Sequence, residues 1–521
     1  MTCLHEMVDV QAERRPDAVA VVDPAQALTY AELRVRSNQL AHYLRRLGVR
    51  GGDVVGVGLS PGADAAIGLL GVLRAGAACL LLGPGLPLDR VDSVAEEARI
   101  EVVVSQSDLA DGLPRVDCEA VFLDSDGARI AREQGTDPGV TAQEQDLAFI
   151  ACTRSTASGS SSVLIEHASA VNCMLAYEEL FGITPADSVL CSMPFLFEST
   201  FNGLLPALCN GAVARVPGGH TAGRTAEFID DCRLLGPTVL SLTVDLWEEV
   251  CDHLGPLDEL LPSSVRLVLV TRDQLAAERL RSPLRSAETN PTVAYTYGPP
   301  ECSALAAVAV ASSDETREEV AVVGRPIPRC SVFVADEEGR QQKPGLVGEL
   351  CVGGACVARG YWGERGMTRS PAASRQFVGG VSGRVFRTGC LASSRHDGEI
   401  VYRGRAEFRS TPGTPEGALI ERSGLQCDEL EARLCAIWER LLKRSPIGPL
   451  DDFFDVGGSS LLALRLLFEV NREFGVRCGA KQVFQNRTIR DLALLVRDAQ
   501  HQTAAEEGRG LRVRPGDDHG G

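Results

Sequence analysis

Two adjacent hydroxyls near the end of the sequence, Ser459 and Ser460, stand where chemistry is easiest to place. They follow Gly457 and Gly458 and precede Leu461, Leu462 and Leu464, so a loop ends and an apolar helical repeat begins at the pair. A hydroxyl at a helix start lies among free backbone N–H groups and the positive end of the helix dipole, where an attached phosphodiester is stabilised. On local grounds alone an ordinary capping serine is the better reading, and only a longer pattern reverses it. Another serine, Ser60 in GLSPG, matches the nucleophile-elbow spacing between a strand and a helix. Hydrolase chemistry fails there on one atom. The residue after the nucleophile must give its backbone N–H to an oxyanion, and Pro61 has none.

Other catalytic groups are scarce. Of 52 basic residues only Lys343, Lys443 and Lys481 are lysines, so a mechanism that needs a lysine has few candidates. The 17 cysteines include no C-x-x-C pair and the eight histidines are dispersed, a pattern of buried thiols in a reducing compartment and not of a zinc site or disulfide framework. A net charge of −18 argues against nucleic acid or an anionic membrane as partner. No apolar run reaches the ~18 residues of a membrane span, and MTCLHEMVDVQAERRPD lacks the basic-then-apolar order of a secretory leader. A cytoplasmic protein is expected.

The elements that must position these groups are written in the hydrophobic pattern. Leu33, Leu40 and Leu44 predict a helix over ALTYAELRVRSNQLAHYLRRLGV, and ADAAIGLLGVLRAG predicts another. DVVGVGL, ACLLLG, EVVVS and VRLVLV read as buried strands, and the alternation predicts an α/β architecture with largely parallel, layered sheets. From about Gly324, short β runs (SVFVADEEGR, GELCVGG, GEIVYRGR) between glycine turns predict a small β-rich subdomain. RSTPGTPEGALIERSGLQ reads as a linker. DELEARLCAIWERLL then carries a helical stripe of Leu430, Leu434, Ile437, Leu441 and Leu442. The resulting division is a core over 1–408, a linker over 409–426, a helical domain over 427–499 and a polar, disordered tail over 500–521.

DDFFDVGGSSLLALRL, with IWERLL before it and FGV…FQNRTIRDLA after it, resembles the carrier-protein signature of nonribosomal peptide synthetases. The resemblance implies a four-helix-bundle carrier whose serine before the leucine pair, here Ser460, bears 4′-phosphopantetheine. Ser459 departs from the His, Asp or Asn more usual there. Residues 1–408 resemble the N-terminal part of an amino-acid adenylation domain, an adenylate-forming-enzyme-like core, through LTYAELRVRSNQLA, VLRAGAACLLL, TYGPPE, GELCVGGACVARGYW and FRTG in order. A working member activates an amino acid with ATP and magnesium and loads it onto the carrier thiol.

This copy departs from the family at the reacting groups. The glycine-rich phosphate loop is TRSTASGSSS. The loop begins at Thr153, Ser155, Ser158 and Ser162 replace glycines, and Ser161 stands where the lysine should be; Ser155 and Thr156 could still donate hydrogen bonds, and only Gly159 supplies backbone freedom. In TYGPPE, Tyr297, Gly298 and the expected magnesium ligand Glu301 remain, but Pro300 replaces threonine. RTGD is RTGC, so Cys390 takes the place of the carboxylate that accepts the ribose hydroxyls. Glu198 replaces the aspartate that pairs with a substrate amino group, while Arg272 and Asp273 stand at the usual Gly-Gly-Glu turn. Arg405 precedes the hinge, where Glu407 replaces aspartate. About twenty residues then separate Glu407 from the carrier, too few for the family's C-terminal lobe of about a hundred.

The expectation is therefore a carrier fused to a truncated, inactive adenylation core that serves as scaffold or docking surface. A phosphopantetheinyl transferase would install the arm, a separate adenylating enzyme would load it with an amino or aryl acid, and condensation or tailoring enzymes would act downstream. No H-H-x-x-x-D-G pattern is present, so no condensation domain is expected in this chain. The alternatives are a residual adenylating enzyme completed by a C-terminal subdomain in trans, and a decayed product whose carrier is unused.

Overall fold

The computed structural model describes residues 3–83, 86–152, 162–191, 197–218, 225–253, 261–272, 291–311, 322–336, 338–362, 377–380, 383–405, 429–442, 447, 453, 460–474, 476 and 487–497. Contacts divide the chain into two units, Met1–Phe408 and Arg409–Gly521.

The first unit is built on two sheets. The smaller runs, in spatial order, Gly360–Tyr361, Ser162–Glu166, Leu147–Cys152, Ala78–Leu81, Val54–Gly58, Val102–Ser105 and Glu119–Phe122. Its last five strands are mutually parallel. The larger begins at Ala27–Thr29 and Val19–Val22, then passes through Val213–Arg215, Ser188–Leu190, Val239–Thr243, Leu267–Arg272 and Thr292–Tyr297. From Val19–Val22 onward these are parallel. Strands covered on both faces are apolar without alternation, which is why LVLVTR is buried at every position.

Beyond Thr292–Tyr297 every pairing is antiparallel, through Ala307–Val310, Val322–Pro326, Ile400–Arg405, Gly383–Ser394, Val347–Gly354 and Cys330–Ala335. The antiparallel part thus starts about fifteen residues before the change of texture at Gly324, because Ala307–Val310 is too short to show its pairing in its own sequence. One apolar cluster includes Val57, Phe149 and Val163 of the smaller sheet and Val21, Leu267 and Ala294 of the larger.

The helix expected from the leucine repeat runs Tyr30–Arg46, with Leu33, Leu40 and Leu44 fully buried. Its first three expected residues are instead the edge strand Ala27–Thr29, since Thr29 caps the helix: its hydroxyl accepts from the Glu32 N–H and Glu32 answers with its carboxylate. The neighbouring helix Ala63–Arg74 crosses it at Gly71, where a Cβ would fall 2.6 Å from Leu40 Cδ2. Ser60 lies in the turn before that helix and gives its N–H to Gln106 Oε1 at 3.1 Å, a structural role.

In the second unit, the helices Glu429–Leu442 and Ser460–Phe474 and the helical residues 489–497 share a core of Leu434, Trp438, Phe453, Leu466, Val470 and Leu492. Trp438 meets Phe453 edge-on, with centroids 4.8 Å apart. Each buried leucine or aromatic contributes about 1.5–3 kcal/mol relative to exposure, so a domain this small depends on a handful of them.

Candidate functional sites of the two units

In the first unit the site is built at the end of the strand Thr292–Tyr297. Tyr297 leads into Gly298, where a Cβ would lie 2.3 Å from the Leu305 nitrogen, so only glycine lets the returning chain pass. The return is a tight turn: Cys302 N–H bonds to the Pro299 carbonyl at 2.8 Å and Ala306 N–H to the Tyr297 carbonyl at 2.7 Å. Ser303 and Ala304 take left-handed φ values of 52° and 67° within it.

This turn places Glu301 in the interior, 6% exposed. The Tyr361 hydroxyl donates to its Oε1 at 2.6 Å. Burial raises the carboxyl above the usual range, against the smaller opposing pull of the Tyr361 bond. Magnesium takes ionised oxygen ligands in a near-octahedral shell that keeps several waters. Glu301 is buried and already engaged by the Tyr361 hydroxyl, a setting that does not favour that part.

Tyr361 is brought in by sheet pairing. The strand Gly360–Tyr361 lies beside Ser162–Glu166, with Tyr361 opposite Val163. Ser162–Glu166 itself pairs antiparallel with Leu147–Cys152, Cys152 opposite Ser162, so the serine-rich loop connects two neighbouring strands. The loop residues Thr153, Ser155, Thr156, Gly159 and Ser161 lie outside the described residues. At the far end of this strand pair Glu166 accepts from Arg359 Nε at 2.9 Å and is paired with Arg384. Burial opposes its ionisation, yet the bonds from Arg384 and Arg359 outweigh burial and hold its carboxyl below the usual range.

Cys390 lies on the strand Gly383–Ser394, opposite Arg405. Its side chain is 7% exposed and belongs to an apolar cluster with Tyr297, Leu350 and Ile400. The position expected from the sequence to present a carboxylate to a ribose is here part of a hydrophobic interior. The neighbouring Arg387 donates from Nε to Glu349 Oε2 at 2.6 Å, and Glu349 Oε1 accepts the Gly389 N–H at 3.1 Å, which fixes the register irregularity of the strand around Thr388.

Glu198 falls on the short helical turn Phe197–Ser199 and Arg405 ends the strand Ile400–Arg405; both side chains lie outside the described residues, as do Asp273 and Glu407. Arg272 is 4% exposed, donates from Nη2 to the Val322 carbonyl at 2.8 Å and stacks 5.4 Å from the Tyr295 ring. Lys343 is exposed in a turn. The structure thus joins Glu301, Tyr297 and Cys390 around one strand end. Tyr361, Glu349 and Glu166, which hold the region together, carried no signal of their own: Tyr361 is 60 residues from Glu301 in sequence.

In the second unit Ser460 is the first residue of the 15-residue helix Ser460–Phe474, at the end where N–H groups are free. Backbone position and residue type both fit a serine phosphodiester, so Ser460 would hold a 4′-phosphopantetheine arm. The helix is braced by Arg433 to Glu473 at 2.7 Å and by an Arg440–Glu469 pair. Among the described residues no helix is long and apolar enough to cross a membrane.

Comparison with known proteins gives the same two parts. Residues 8–362 match the AMP-binding enzyme family, and residues 432–496 match a phosphopantetheine attachment site. Tyrocidine synthase 2 of Brevibacillus parabrevis is 27% identical over 607 positions, covering 96% of this chain and 16% of the relative. Bacitracin synthase 1 of Bacillus licheniformis is 25% identical over 582 positions, covering 94% and 11%. The chain therefore spans under a fifth of the length of these relatives. Among solved structures, the nonribosomal peptide synthetase FmoA3 superposes with a TM-score of 0.69 at 24% identity, over 95% of this chain and 50% of that one. Klebsiella oxytoca NpsA, solved in complex with 3-hydroxyanthranilyl-AMSN, superposes at 0.66 with 22% identity, over 78% and 80%. At these identities both establish the fold alone. An AMP-binding domain implies ATP and magnesium where it is active, and the attachment site implies 4′-phosphopantetheine. The chain belongs to the AMP-binding enzyme family and joins that adenylate-forming domain to a phosphopantetheine-bearing carrier domain.

Proposed function

We propose that this protein is a carrier in nonribosomal peptide synthesis that holds an amino or aryl acid as a thioester on the arm at Ser460, loaded by a separate adenylating enzyme. The observation that carries this reading is the interior placement of Glu301, 6% exposed and bonded to the Tyr361 hydroxyl. The apolar setting of Cys390 and the serine at position 161 support it. So does the match of 607 positions against a chain of 521 residues, which leaves part of the relative without a counterpart here. That fits the short interval from Glu407 to residue 427, and with it the division into 1–408, 409–426, 427–499 and 500–521. Loss of preorganised charge at several points together costs an adenylating site several kcal/mol of barrier.

In this reading Ser460 supplies the hydroxyl that a phosphopantetheinyl transferase joins to the arm from coenzyme A, and the helix N-terminus stabilises the phosphodiester charge. The arm supplies a thiol. The folded core, with its charge centres converted to structural contacts, serves as a scaffold or docking surface for the loading and downstream condensation or tailoring enzymes, in the cytoplasm. ATP–pyrophosphate exchange across a set of amino and aryl acids tests it, and exchange at background level is expected. Exchange above background that disappears in Glu301→Ala would instead establish the residual adenylating enzyme, for which the retained Tyr297 and Glu301 speak.

A further inference from the structure

Four cysteines that the sequence scatters over 183 positions, Cys173, Cys302, Cys330 and Cys356, meet behind the turn that carries Glu301. Cys173, Cys302 and Cys356 are buried, and Cys330 is half-buried. Cys173 is committed, since its thiol donates to the Ser303 carbonyl at 3.1 Å. The Cys330 sulfur lies against Cys356 and receives two donors, the Cys356 backbone N–H at 3.3 Å and Asn172 Nδ2 at 3.4 Å. The Asn172 amide is oriented for this by Arg329, whose Nε donates to Asn172 Oδ1 at 2.7 Å. Two N–H donors on one sulfur stabilise charge as it develops there.

We propose that Cys330 and Cys356 are a disulfide-forming pair that braces the Glu301 turn. The sulfur of Cys330, the more accessible of the two, attacks an oxidised low-molecular-weight disulfide such as glutathione disulfide. A mixed disulfide forms and one small thiolate leaves. The sulfur of Cys356 then attacks the sulfur of Cys330 and releases the second thiolate. The two protons of the protein thiols end on the two released thiols, so the protein loses two electrons that the small disulfide gains. In the reduced state the Cys356 thiol and then burial keep Cys330 protonated, so the reaction is slow at neutral pH and faster at alkaline pH. The bridge ties the start of the strand Cys330–Ala335 to a segment already bonded to the turn. The Cys356 carbonyl accepts from Ser303 Oγ at 3.0 Å, and Ala358 N–H from the same segment bonds to the Glu301 carbonyl at 2.9 Å.

The test is a peptide map of the full chain incubated at pH 8.5 with glutathione disulfide, quenched in acid, unfolded and alkylated. A linked pair of peptides containing Cys330 and Cys356 is expected in most molecules, together with a raised melting temperature of the first unit that dithiothreitol reverses. The link should vanish in Cys330→Ser and in Cys356→Ser. The wild-type map decides the question even if a variant misfolds. Full alkylation of Cys302, Cys330 and Cys356 after the incubation, or a link from Cys356 to Cys302 instead, overturns the proposal.

Discussion

In the reading proposed above, Ser460 and Glu301 stand for the chemistries of the carrier and the AMP-binding parts, and the fold places them in opposite settings. Ser460 opens a helix, at a place that every amphipathic helix of sufficient length provides. Its function needs a hydroxyl, a helix N-terminus and a core to hold the helix. Glu301 needs much more: an ionised carboxylate, an open face and several partners from distant segments. In this chain the distant segments are present but make other contacts. Tyr361 bonds to Glu301, Cys390 packs with Tyr297, and Arg387 is held by Glu349. On the proposed reading, a site assembled from many segments loses its function while the fold persists, because the same residues still satisfy one another. A site that rests on one helix end is retained or lost with one residue.

Four changes break or sharpen this contrast. The largest effect belongs to Ser460→Ala, which is expected to abolish phosphopantetheine attachment, while Ser459→Ala leaves it intact. Intact-protein mass after incubation with a transferase and coenzyme A reads both, and attachment in the Ser460 variant would move the site.

Leu434→Ala comes next. Leu434 is fully buried in the small carrier core, and such truncations cost about 2–5 kcal/mol. In a domain of this size that removes much of the stability. Calorimetry should show the carrier transition falling or disappearing while the transition of the larger unit stays in place. A shift of both by the same amount would mean that the two units do not unfold separately.

Acid should act on the larger unit first. Burial, followed by the charges of His167 and Arg74, lowers His5 from 6.5 to about 3. Burial lowers His167 to about 4, opposed by Asp146. Both groups are neutral in the folded state and bind protons more readily when unfolded. Their contribution is therefore complete above pH 6.5 and is lost as pH falls toward 4, at about 1.4 kcal/mol per pH unit for each histidine. The rings meet edge-on at 5.7 Å, and His167 Nδ1 accepts the Leu4 N–H at 3.2 Å, so protonation also breaks a contact with the first helix. Melting curves between pH 7 and 4.5 check this, and a flat profile for the larger unit would contradict it.

The smallest effect is expected from Glu301→Gln. An amide oxygen can still accept from Tyr361, and burial already disfavours the charge that the carboxylate would carry there. The stability change should stay below about 1 kcal/mol. Carrier modification should not change at all.

The same contrast explains what could be read without coordinates. Leu33, Leu40 and Leu44 fixed one helix because amphipathic spacing is local, and the position of Ser460 at a helix start followed from the glycine pair and the leucines after it. The motifs TYGPPE and RTGC located Glu301 and Cys390 along the chain but not their surroundings. That Cys390 lies in an apolar cluster depends on seven strands, some of which pair across long stretches of sequence, as Val347–Gly354 does with Gly383–Ser394 and Val322–Pro326 with Ile400–Arg405. The Tyr361 bond to Glu301 depends on the short strand Gly360–Tyr361 joining the smaller sheet, which two residues cannot announce. Nor did the spacing of the cysteines suggest that Cys330 and Cys356 are neighbours, since one begins a strand and the other follows its partner strand.

The central claim is that Ser460 is the working centre and that its cargo comes from another enzyme. Intact-protein mass spectrometry tests it most directly. The chain is first converted with transferase and coenzyme A, then given ATP, magnesium and a panel of amino and aryl acids, with and without a separate adenylating enzyme. The account predicts one arm per chain on Ser460, no acyl group in the absence of the second enzyme, and a thioester in its presence. An acyl group gained on Ser460 with no second enzyme present would contradict it.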